Sequence, residues 1–178
     1  MTMATRTKLY NSPIGGLMLG ADDEGLCLCR WVDSNNRVDS NNPGIVEQSA
    51  DVCPNSQDAV TASYSILEQT ARELDEYFSG SRTTFDIRLH PQGTEFQQKV
   101  WQALARIEYG TTMSYSELSR VVGNIKAVRA VAQACRRNPL AVVVACHRVI
   151  GAGGQLTGYA GGIRRKEWLL QMEQNRNS

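Results

Sequence analysis

The chain has 178 residues, 42% of them hydrophobic and 21% charged, and this composition is typical of a globular protein with a buried core. No apolar run approaches the roughly 20 residues of a membrane helix, and MTMATRTKLY lacks the apolar stretch of a secretory signal, so we expect no membrane contact and a cytoplasmic location, or a nuclear one in a eukaryote. Residues 1–91 carry 7 Lys or Arg and 13 Asp or Glu, whereas residues 92–178 carry 12 and 5. The basic second half suggests a nucleic-acid partner, but a solvated surface or an attraction between the two halves is equally open.

Residues 5–32 are predicted to form a β-meander. The turns at NSPIGG and ADDEG separate three short runs with strand character. In the third run Cys27 and Cys29 share one face, because side chains alternate along a strand. A metal pair there is the alternative to strand packing, but neither a His nor a third Cys is nearby, so we predict no metal. The five cysteines and the missing signal sequence argue for reduced thiols rather than disulfides.

A loop, a long helix and a strand complete the first predicted domain, residues 1–91. Residues 33–57 are polar and contain the segment VDSNN twice at their start, which indicates a loop. An amphipathic helix follows and ends at Gly80. Its apolar side chains recur at steps of three and four, at Val60, Tyr64, Leu67, Ala71, Leu74 and Phe78. TFDIRL is predicted as a strand in which Phe85, Ile87 and Leu89 alternate with polar residues.

The second predicted domain, residues 92–178, is mostly helical, so the fold class is α/β in the α+β sense: a small sheet with a helix, then a helical domain. Its first helix begins at a capping box of Thr94 and Gln97, and a second capping box is expected at Ser114 and Glu117. The apolar stripe of the first helix consists of Phe96, Val100, Leu104 and Ile107. The last helix is predicted for RRKEWLLQMEQ.

Two short helices around Gly123 and Asn124 suggest a helix-turn-helix, a motif that places its second helix in the major groove of DNA. Spacing alone favours an ordinary helical hairpin, so both interpretations stay open. The inward side chains of the second helix would be Val128, Val131, Ala132 and Cys135. The outward, DNA-binding side chains would be Lys126, Arg129, Gln133, Arg136 and Arg137.

AVVVA, residues 141–145, is predicted as a short buried strand that ends at Cys146. The thiolate is the reactive form of cysteine, and neighbouring cations lower the pKa of a thiol. Because His147 and Arg148 come next, Cys146 is a candidate activated nucleophile. A buried structural cysteine is the alternative, so the residues by themselves lead no further than a candidate thiol nucleophile beside a candidate DNA-binding element.

The blocks around this cysteine resemble the O6-alkylguanine-DNA alkyltransferases, also called methylated-DNA–protein-cysteine methyltransferases. The similar blocks are, in order, GTEFQQKVWQAL, TMSYSEL, KAVRAVAQAC, NPLAVVV, ACHRVIG and LTGYAGGIRRKEWLL, over residues 93–173. In the first half only SPIGGLMLG and ELDEYFSG are similar. The resemblance implies DNA repair by irreversible transfer of an alkyl group from O6-alkylguanine, with O4-alkylthymine as an open second substrate, to a cysteine of the protein itself.

The resemblance also implies catalytic roles for the matching residues. Cys146 is the alkyl acceptor, His147 deprotonates it through a water molecule, and Glu173 orients this histidine. Asn138 ties the active-site turn together. Tyr115 assists the departure of guanine.

Further residues are implied to handle the damaged nucleotide. Because O6 is hidden inside a base pair, the nucleotide must leave the stack, and Arg129 takes its place. The wall of the pocket for the flipped base comprises Tyr159, Ala160 and Val149. The thioether product does not hydrolyse, so each molecule reacts once and needs no cofactor. The expected partner is double-stranded DNA with O6-alkylguanine, bound by a monomer.

One position departs from the family pattern, which has proline immediately before the acceptor cysteine. Here Ala145 occupies that position. Proline would fix φ and remove a backbone donor, whereas alanine is small and can adopt the same dihedral angles. The acceptor itself is intact, which argues against the related proteins that bind lesions without repairing them.

Two rival functions are open on the residues alone. A lesion binder or helix-turn-helix regulator would bind DNA and leave Cys146 unmodified. A Cys-His hydrolase would turn over repeatedly, but adjacent residues on an extended segment point to opposite faces, so Cys146 and His147 would make a poor direct dyad.

Overall fold

The computed structural model describes residues 5–32 and 57–175. The predicted loop with the doubled VDSNN segment lies almost wholly outside these residues, as does Cys53. The chain divides into two compact units, Met1–Pro91 and Gln92–Ser178. Within the described residues, no helix combines the length and the apolar character that a membrane span requires.

The sheet of the first unit is the predicted meander. Strands β1 (Arg6–Ser12), β2 (Gly15–Ala21) and β3 (Leu26–Trp31) pair antiparallel in the order β1-β2-β3. In β3 side chains are buried on both faces of the sheet, and Cys29 is fully buried whereas Cys27 is partly exposed. No three potential metal ligands cluster in the part of the chain that the structure describes.

The predicted long helix is α1 (Gln57–Ser79), and it ends at Gly80, whose φ of 79° suits glycine. Its buried face differs in part from the predicted stripe. Tyr64 is 59% exposed, whereas Leu67 and Leu74 are buried as expected. Polar side chains that the apolar pattern left out are buried on the same face, namely Ser63, Thr70 and Glu73.

The strand predicted for TFDIRL is wrong except for a single bridge between Leu26 and Leu89. The strand β3 binds the backbone of this segment only around that bridge, where Leu26 N–H donates to the Arg88 carbonyl at 2.8 Å. At Asp86 helix side chains take the place of a strand. The carbonyl of Asp86 accepts a hydrogen bond from Gln69 Nε2 at 2.8 Å, and the backbone N–H of Asp86 donates to Glu73 Oε2 at 2.8 Å. Backbone groups satisfied in this way are not available for a strand ladder.

The second unit is mostly helical, as predicted. Its elements are α2 (Glu95–Leu104), β4 (Met113–Ser114), α3 (Tyr115–Val121), α4 (Val128–Arg136), β5 (Val149–Ile150) and α5 (Ile163–Gln174). Both predicted capping boxes are present, at Thr94 with Gln97 and at Ser114 with Glu117. The two-residue strands β4 and β5 pair in parallel.

Helices α3 and α4 form the predicted pair around Gly123, which has a φ of 84°. A short 3-10 turn, Ile125–Ala127, leads into α4. Within α4, Val131 and Cys135 are buried, and Ala134 adds to this inner face. The side chains predicted to face outward are all exposed, namely Lys126, Arg129, Gln133, Arg136 and Arg137.

The strand predicted for AVVVA is wrong, although all five residues are buried. The segment makes local turns instead: Val143 N–H donates to the Ala141 carbonyl at 2.9 Å and Val144 N–H to the Leu140 carbonyl at 2.8 Å. Between them Val142 has a φ of 70°, a conformation that costs a β-branched residue about 1–3 kcal/mol. The surrounding packing therefore imposes a sharp bend just before Cys146.

Candidate functional site

The three residues Cys146, His147 and Arg148 form a single turn of 3-10 helix rather than the end of a strand. With three residues per turn, consecutive side chains point in directions about 120° apart. All three side chains are buried, and His147 is fully so. One turn thus presents a thiol, an imidazole and a guanidinium to three different parts of the unit.

The sulfur of Cys146 is in contact with Asn138. Asn138 Nδ2 donates to Cys146 Sγ at 3.2 Å and to the Val144 carbonyl at 2.8 Å, while its Oδ1 accepts from Leu140 N–H at 3.0 Å. One buried amide therefore holds the turns of residues 140–146 and also donates to the sulfur. Such a donor favours the thiolate over the thiol.

His147 is held by Glu173 on α5. His147 Nε2 lies 2.9 Å from Glu173 Oε1. Because the carboxylate can only accept, Nε2 must carry the proton, and Nδ1 is then the unprotonated nitrogen. Nδ1 is buried and has no hydrogen-bond partner among the described residues. The arrangement leaves one basic nitrogen of the histidine ready to accept a proton.

Burial lowers the pKa of His147 below its ordinary value, and the positive charges of Arg148 and Lys166 act in the same direction against the bond to Glu173. The imidazole is therefore neutral at neutral pH. Burial raises the pKa of Glu173, but its bonds and charges with His147 and Arg148 more than offset this, and its pKa lies well below the ordinary range. The pair is thus neutral histidine with ionised glutamate.

The prediction that the neighbouring His147 and Arg148 lower the pKa of Cys146 is wrong. The pKa is raised, and neither of these residues is the cation that opposes the rise. Burial raises the pKa of this thiol, and the opposing influences are the Asn138 bond and the charge of Lys166. His147 is neutral, and Arg148 is paired with Glu173, its Nη2 lying 2.8 Å from Oε1. The resting group is a thiol, so a reaction through the thiolate needs a base.

Lys166 is a functional candidate that the sequence interpretation missed. Its fully buried ammonium donates to the Val149 carbonyl at 2.5 Å and to the Thr157 carbonyl at 2.7 Å. The same Thr157 carbonyl accepts from Tyr115 Oη at 3.2 Å. Lys166 and Glu173 occupy the buried face of α5 together with Leu169 and Leu170, so charged residues within an apolar i, i+3, i+4, i+7 pattern were the available signal.

The residues predicted to line a base pocket differ in their burial. Tyr159 is buried, and its ring meets that of His147 edge to face with centroids 6.4 Å apart. Val149 is fully buried next to the 3-10 turn, whereas Ala160 is exposed. Burial raises the pKa of Tyr115 to about 12, so this phenol stays protonated.

Comparison with known proteins decides the family. Residues 5–91 match the model described as 6-O-methylguanine DNA methyltransferase, ribonuclease-like domain, and residues 95–175 match the DNA binding domain of the same protein. The chain belongs to the O6-methylguanine DNA methyltransferase family. Its activity is therefore that of a methylated-DNA–protein-cysteine methyltransferase, which repairs O6-methylguanine in DNA.

Relatives of this family match between 60% and 97% of the chain. The methylated-DNA–protein-cysteine methyltransferase of Methanosarcina acetivorans is 40% identical over 165 residues, which are 93% of this chain and 96% of the relative. That of Mycobacterium leprae is 54% identical over 107 residues, 60% of this chain and 65% of the relative. The crystal structure of Mycobacterium tuberculosis OGT in complex with DNA is similar with a TM-score of 0.78 at 40% identity, over 97% of this chain and 93% of that one.

The departure at Ala145 leads to a first prediction. Ala145 has a φ of −75° and a ψ of 56°, and this φ lies within the range that proline imposes. We expect Ala145→Pro to raise the free energy of unfolding by about 0.4–1 kcal/mol, because proline restricts the unfolded chain. Chemical denaturation measures the change, and the rate of methyl transfer should stay within a few-fold. A destabilised Ala145→Pro variant would mean that the backbone N–H of Ala145 is needed.

Proposed function

We propose that Cys146 accepts the methyl group from O6-methylguanine, once per molecule, with His147 as its base. The observation that carries this proposal is the set of buried hydrogen bonds around Cys146 and His147 in the second unit. Asn138 donates to the sulfur, and Glu173 holds the neighbouring histidine, whose unprotonated nitrogen has no hydrogen-bond partner in the described part of the chain. A buried thiol with a raised pKa needs such a base, and His147 is neutral and able to supply it.

The reaction balances without a cofactor. The S–H bond of Cys146 breaks and its proton passes, by way of a water molecule, to His147 Nδ1. The thiolate attacks the methyl carbon, so an S–C bond forms while the C–O6 bond breaks and its electron pair goes to guanine. Asn138 and the buried charge of Lys166 stabilise the transient thiolate. The thioether has no leaving group, so the molecule is spent.

Tyr115 is the proposed proton donor to the departing guanine. Its phenol stays protonated at neutral pH because its pKa is about 12. Its hydroxyl is held by the Thr157 carbonyl at 3.2 Å, at the Gly-rich segment that precedes Tyr159. The wall of the proposed base pocket would consist of Tyr159, Ala160 and Val149. Oligonucleotides that contain O6-methylguanine or O4-methylthymine test which methylated bases this pocket accepts.

DNA binding is proposed for the exposed face of α4, with the duplex bound by a monomer. The exposed cations Lys126, Arg136 and Arg137 would neutralise phosphates without reading sequence, and the exposed amide of Gln133 could donate a hydrogen bond to a phosphate oxygen. Arg129, also exposed, would fill the gap that the flipped nucleotide leaves. A planar guanidinium can stack and donate hydrogen bonds inside the duplex, which a lysine cannot do equally well.

Arg129→Ala should slow repair of duplex DNA more than it weakens binding. Flipping costs a few kcal/mol, and if Arg129 offsets one or two of these, the rate falls roughly 5- to 30-fold. The free base O6-benzylguanine needs no flipping, so its rate should change little. Single-turnover rates on both substrates measure the effect.

The matched control is Lys126→Ala, which removes an exposed charge beside the same helix. It should weaken duplex binding and reduce its salt dependence, with little effect on the rate at saturating DNA. Equal losses on duplex and free base for Arg129→Ala would mean that Arg129 supports the fold of the site and does not assist flipping.

The intact mass of the protein after incubation with an oligonucleotide duplex that contains O6-methylguanine tests the proposal as a whole. We expect a gain of one methyl group per molecule, located on Cys146 by peptide mapping. DNA binding with no mass change would support the lesion binder or regulator, and repeated turnover on an ester or peptide would support the Cys-His hydrolase.

A further inference from the structure

The carboxylate of Glu173 has all of its acceptor positions in use. Oε1 accepts from His147 Nε2 at 2.9 Å and from Arg148 Nη2 at 2.8 Å. Oε2 accepts from Arg148 Nε at 2.9 Å and from the backbone N–H of Gly110 at 3.1 Å. A carboxylate offers about four lone pairs, so His147 shares this group with a guanidinium that binds both of its oxygens.

Arg148 is itself fixed from several sides. Its Nη1 donates to the Ile107 carbonyl at 2.6 Å, and its guanidinium lies 5.6 Å from the centroid of the Tyr109 ring. The residue is only 6% exposed. The two parallel bonds to Glu173 have the fork geometry that makes arginine–carboxylate pairs strong and directional. The orientation of the Glu173 carboxylate, and hence of His147, follows from this fork.

The fork also changes the charge that His147 experiences. In a nucleophile–histidine–carboxylate triad, the carboxylate stabilises the imidazolium that forms. Here the guanidinium, which is always charged, neutralises that carboxylate. The other groups near His147 are Lys166 on α5, the Cys146 thiol on the same turn and the Tyr159 ring. The ionised groups around the histidine are thus one anion and two cations, which disfavours a proton on it at rest.

We propose that Arg148 is a positioning residue that acts on His147 through Glu173: it orients the carboxylate and offsets its charge, so that His147 stays a neutral base until the thiol proton arrives. The inference rests on the proposed function, in which His147 must be unprotonated to accept that proton. It assigns to Arg148 a part in the base rather than the direct activation of the thiol expected from its position in the sequence.

The inference is tested in the full chain by removing the charges of Arg148 and Glu173 singly and together, in a double-mutant cycle. The chain has only two histidines, so His90→Gln leaves a single imidazole whose pKa can be followed by NMR. Arg148→Met should raise the pKa of His147 by about one unit or more, because Glu173 then acts on it without a counter-charge. Glu173→Gln should lower the pKa. The double variant Arg148→Met with Glu173→Gln should return it close to the original value.

The transfer rate supplies the second readout. In Arg148→Met the low-pH limb of the single-turnover rate on methylated duplex should move to higher pH together with the pKa of His147. Arg148→Lys keeps the charge but loses the fork, so the limb should stay in place while the plateau rate falls about tenfold. A purely structural role would lower the rates and move neither the pKa nor the limb, and that result would overturn the inference.

A second comparison avoids the variant that leaves a buried carboxylate unpaired. If Arg148→Met alone does not fold, Glu173→Gln is compared with the double variant. These two proteins differ only in the guanidinium of Arg148, and neither contains a buried unpaired carboxylate. The pKa of His147 should be higher in the double variant. Equal pKa values in these two would overturn the inference. Failure of the unmodified protein to methylate Cys146 would instead refute the proposed function and would leave the NMR cycle unaffected.

Discussion

Cys146→Ser should take up no methyl group while DNA binding stays intact. A serine hydroxyl ionises far less readily than a thiol, and loss of a covalent nucleophile costs roughly 10⁴-fold or more in rate. The hydroxyl can still accept the bond from Asn138 Nδ2, so the turn that holds residue 146 should persist. DNA binding should persist because the exposed cations of α4 are unchanged.

Intact mass and a binding titration on the same methylated duplex check this result. Cys135→Ser is the matched control, because Cys135 is a second buried thiol of the same unit with no proposed role in transfer. The control should still acquire one methyl group. Transfer by Cys146→Ser at a rate close to that of the unmodified chain would place the acceptor elsewhere.

Glu173→Gln should have the second largest effect, on both rate and stability. The neutral amide can present an N–H to His147 Nε2 and so favour the wrong tautomer, and in proteases the corresponding change costs about 10⁴-fold. Since the base here works through one proton transfer, we expect a loss of about 10²–10⁴-fold. Arg148 would also lose its partner for both Nε and Nη2, and breaking a buried ion pair costs about 3–5 kcal/mol.

The pH dependence of this cost has a defined sign. The pKa of Glu173 is lowered in the folded state, so its stabilising contribution is complete above the unfolded value of about 4.3 and is lost as the pH falls towards the folded value. Thermal unfolding at neutral pH therefore shows the full difference. Glu167→Gln, an exposed position of the same helix, is the control and should change neither quantity. An unchanged single-turnover rate in Glu173→Gln would reduce Glu173 to a structural charge.

Local signals in the sequence predicted much of the fold correctly. The two capping boxes could be recognised because each depends on a pair of side chains three residues apart, Thr94 with Gln97 and Ser114 with Glu117. The exposed basic face of α4 follows in the same way from helical periodicity. Each of these features is decided within one or two turns of the chain.

The failed predictions concern segments whose backbone partners are distant or irregular. AVVVA has the composition of a buried strand, and its burial was predicted correctly, but the Asn138 side chain and local turns satisfy its backbone. TFDIRL alternates like a strand, yet α1 side chains bind its backbone at Asp86. The pattern of apolar residues predicts burial, but it does not predict which groups will form hydrogen bonds with the backbone N–H and carbonyl groups.

The chemistry of the site shows the same limit. Adjacency in sequence suggested that Arg148 acts on Cys146, whereas the 3-10 turn directs it to Glu173, 25 residues away. Lys166 was not predicted as a site residue, because a lysine at the start of a helix normally lies in solvent. Only the resemblance to a family pointed to Glu173 before the structure did, since nothing in RRKEWLLQMEQ alone connects it to His147.

Glu173 lies one residue before the end of α5, which extends to Gln174. The last turn of a helix frays readily, and its opening requires far less free energy than global unfolding. Here the side-chain bonds to the 3-10 turn and to Gly110 oppose this opening. Protection of the amides of this turn against hydrogen exchange therefore reports the fraction of molecules that are competent to react. A change that loosens only this turn would inactivate a protein that by every global measure is still folded.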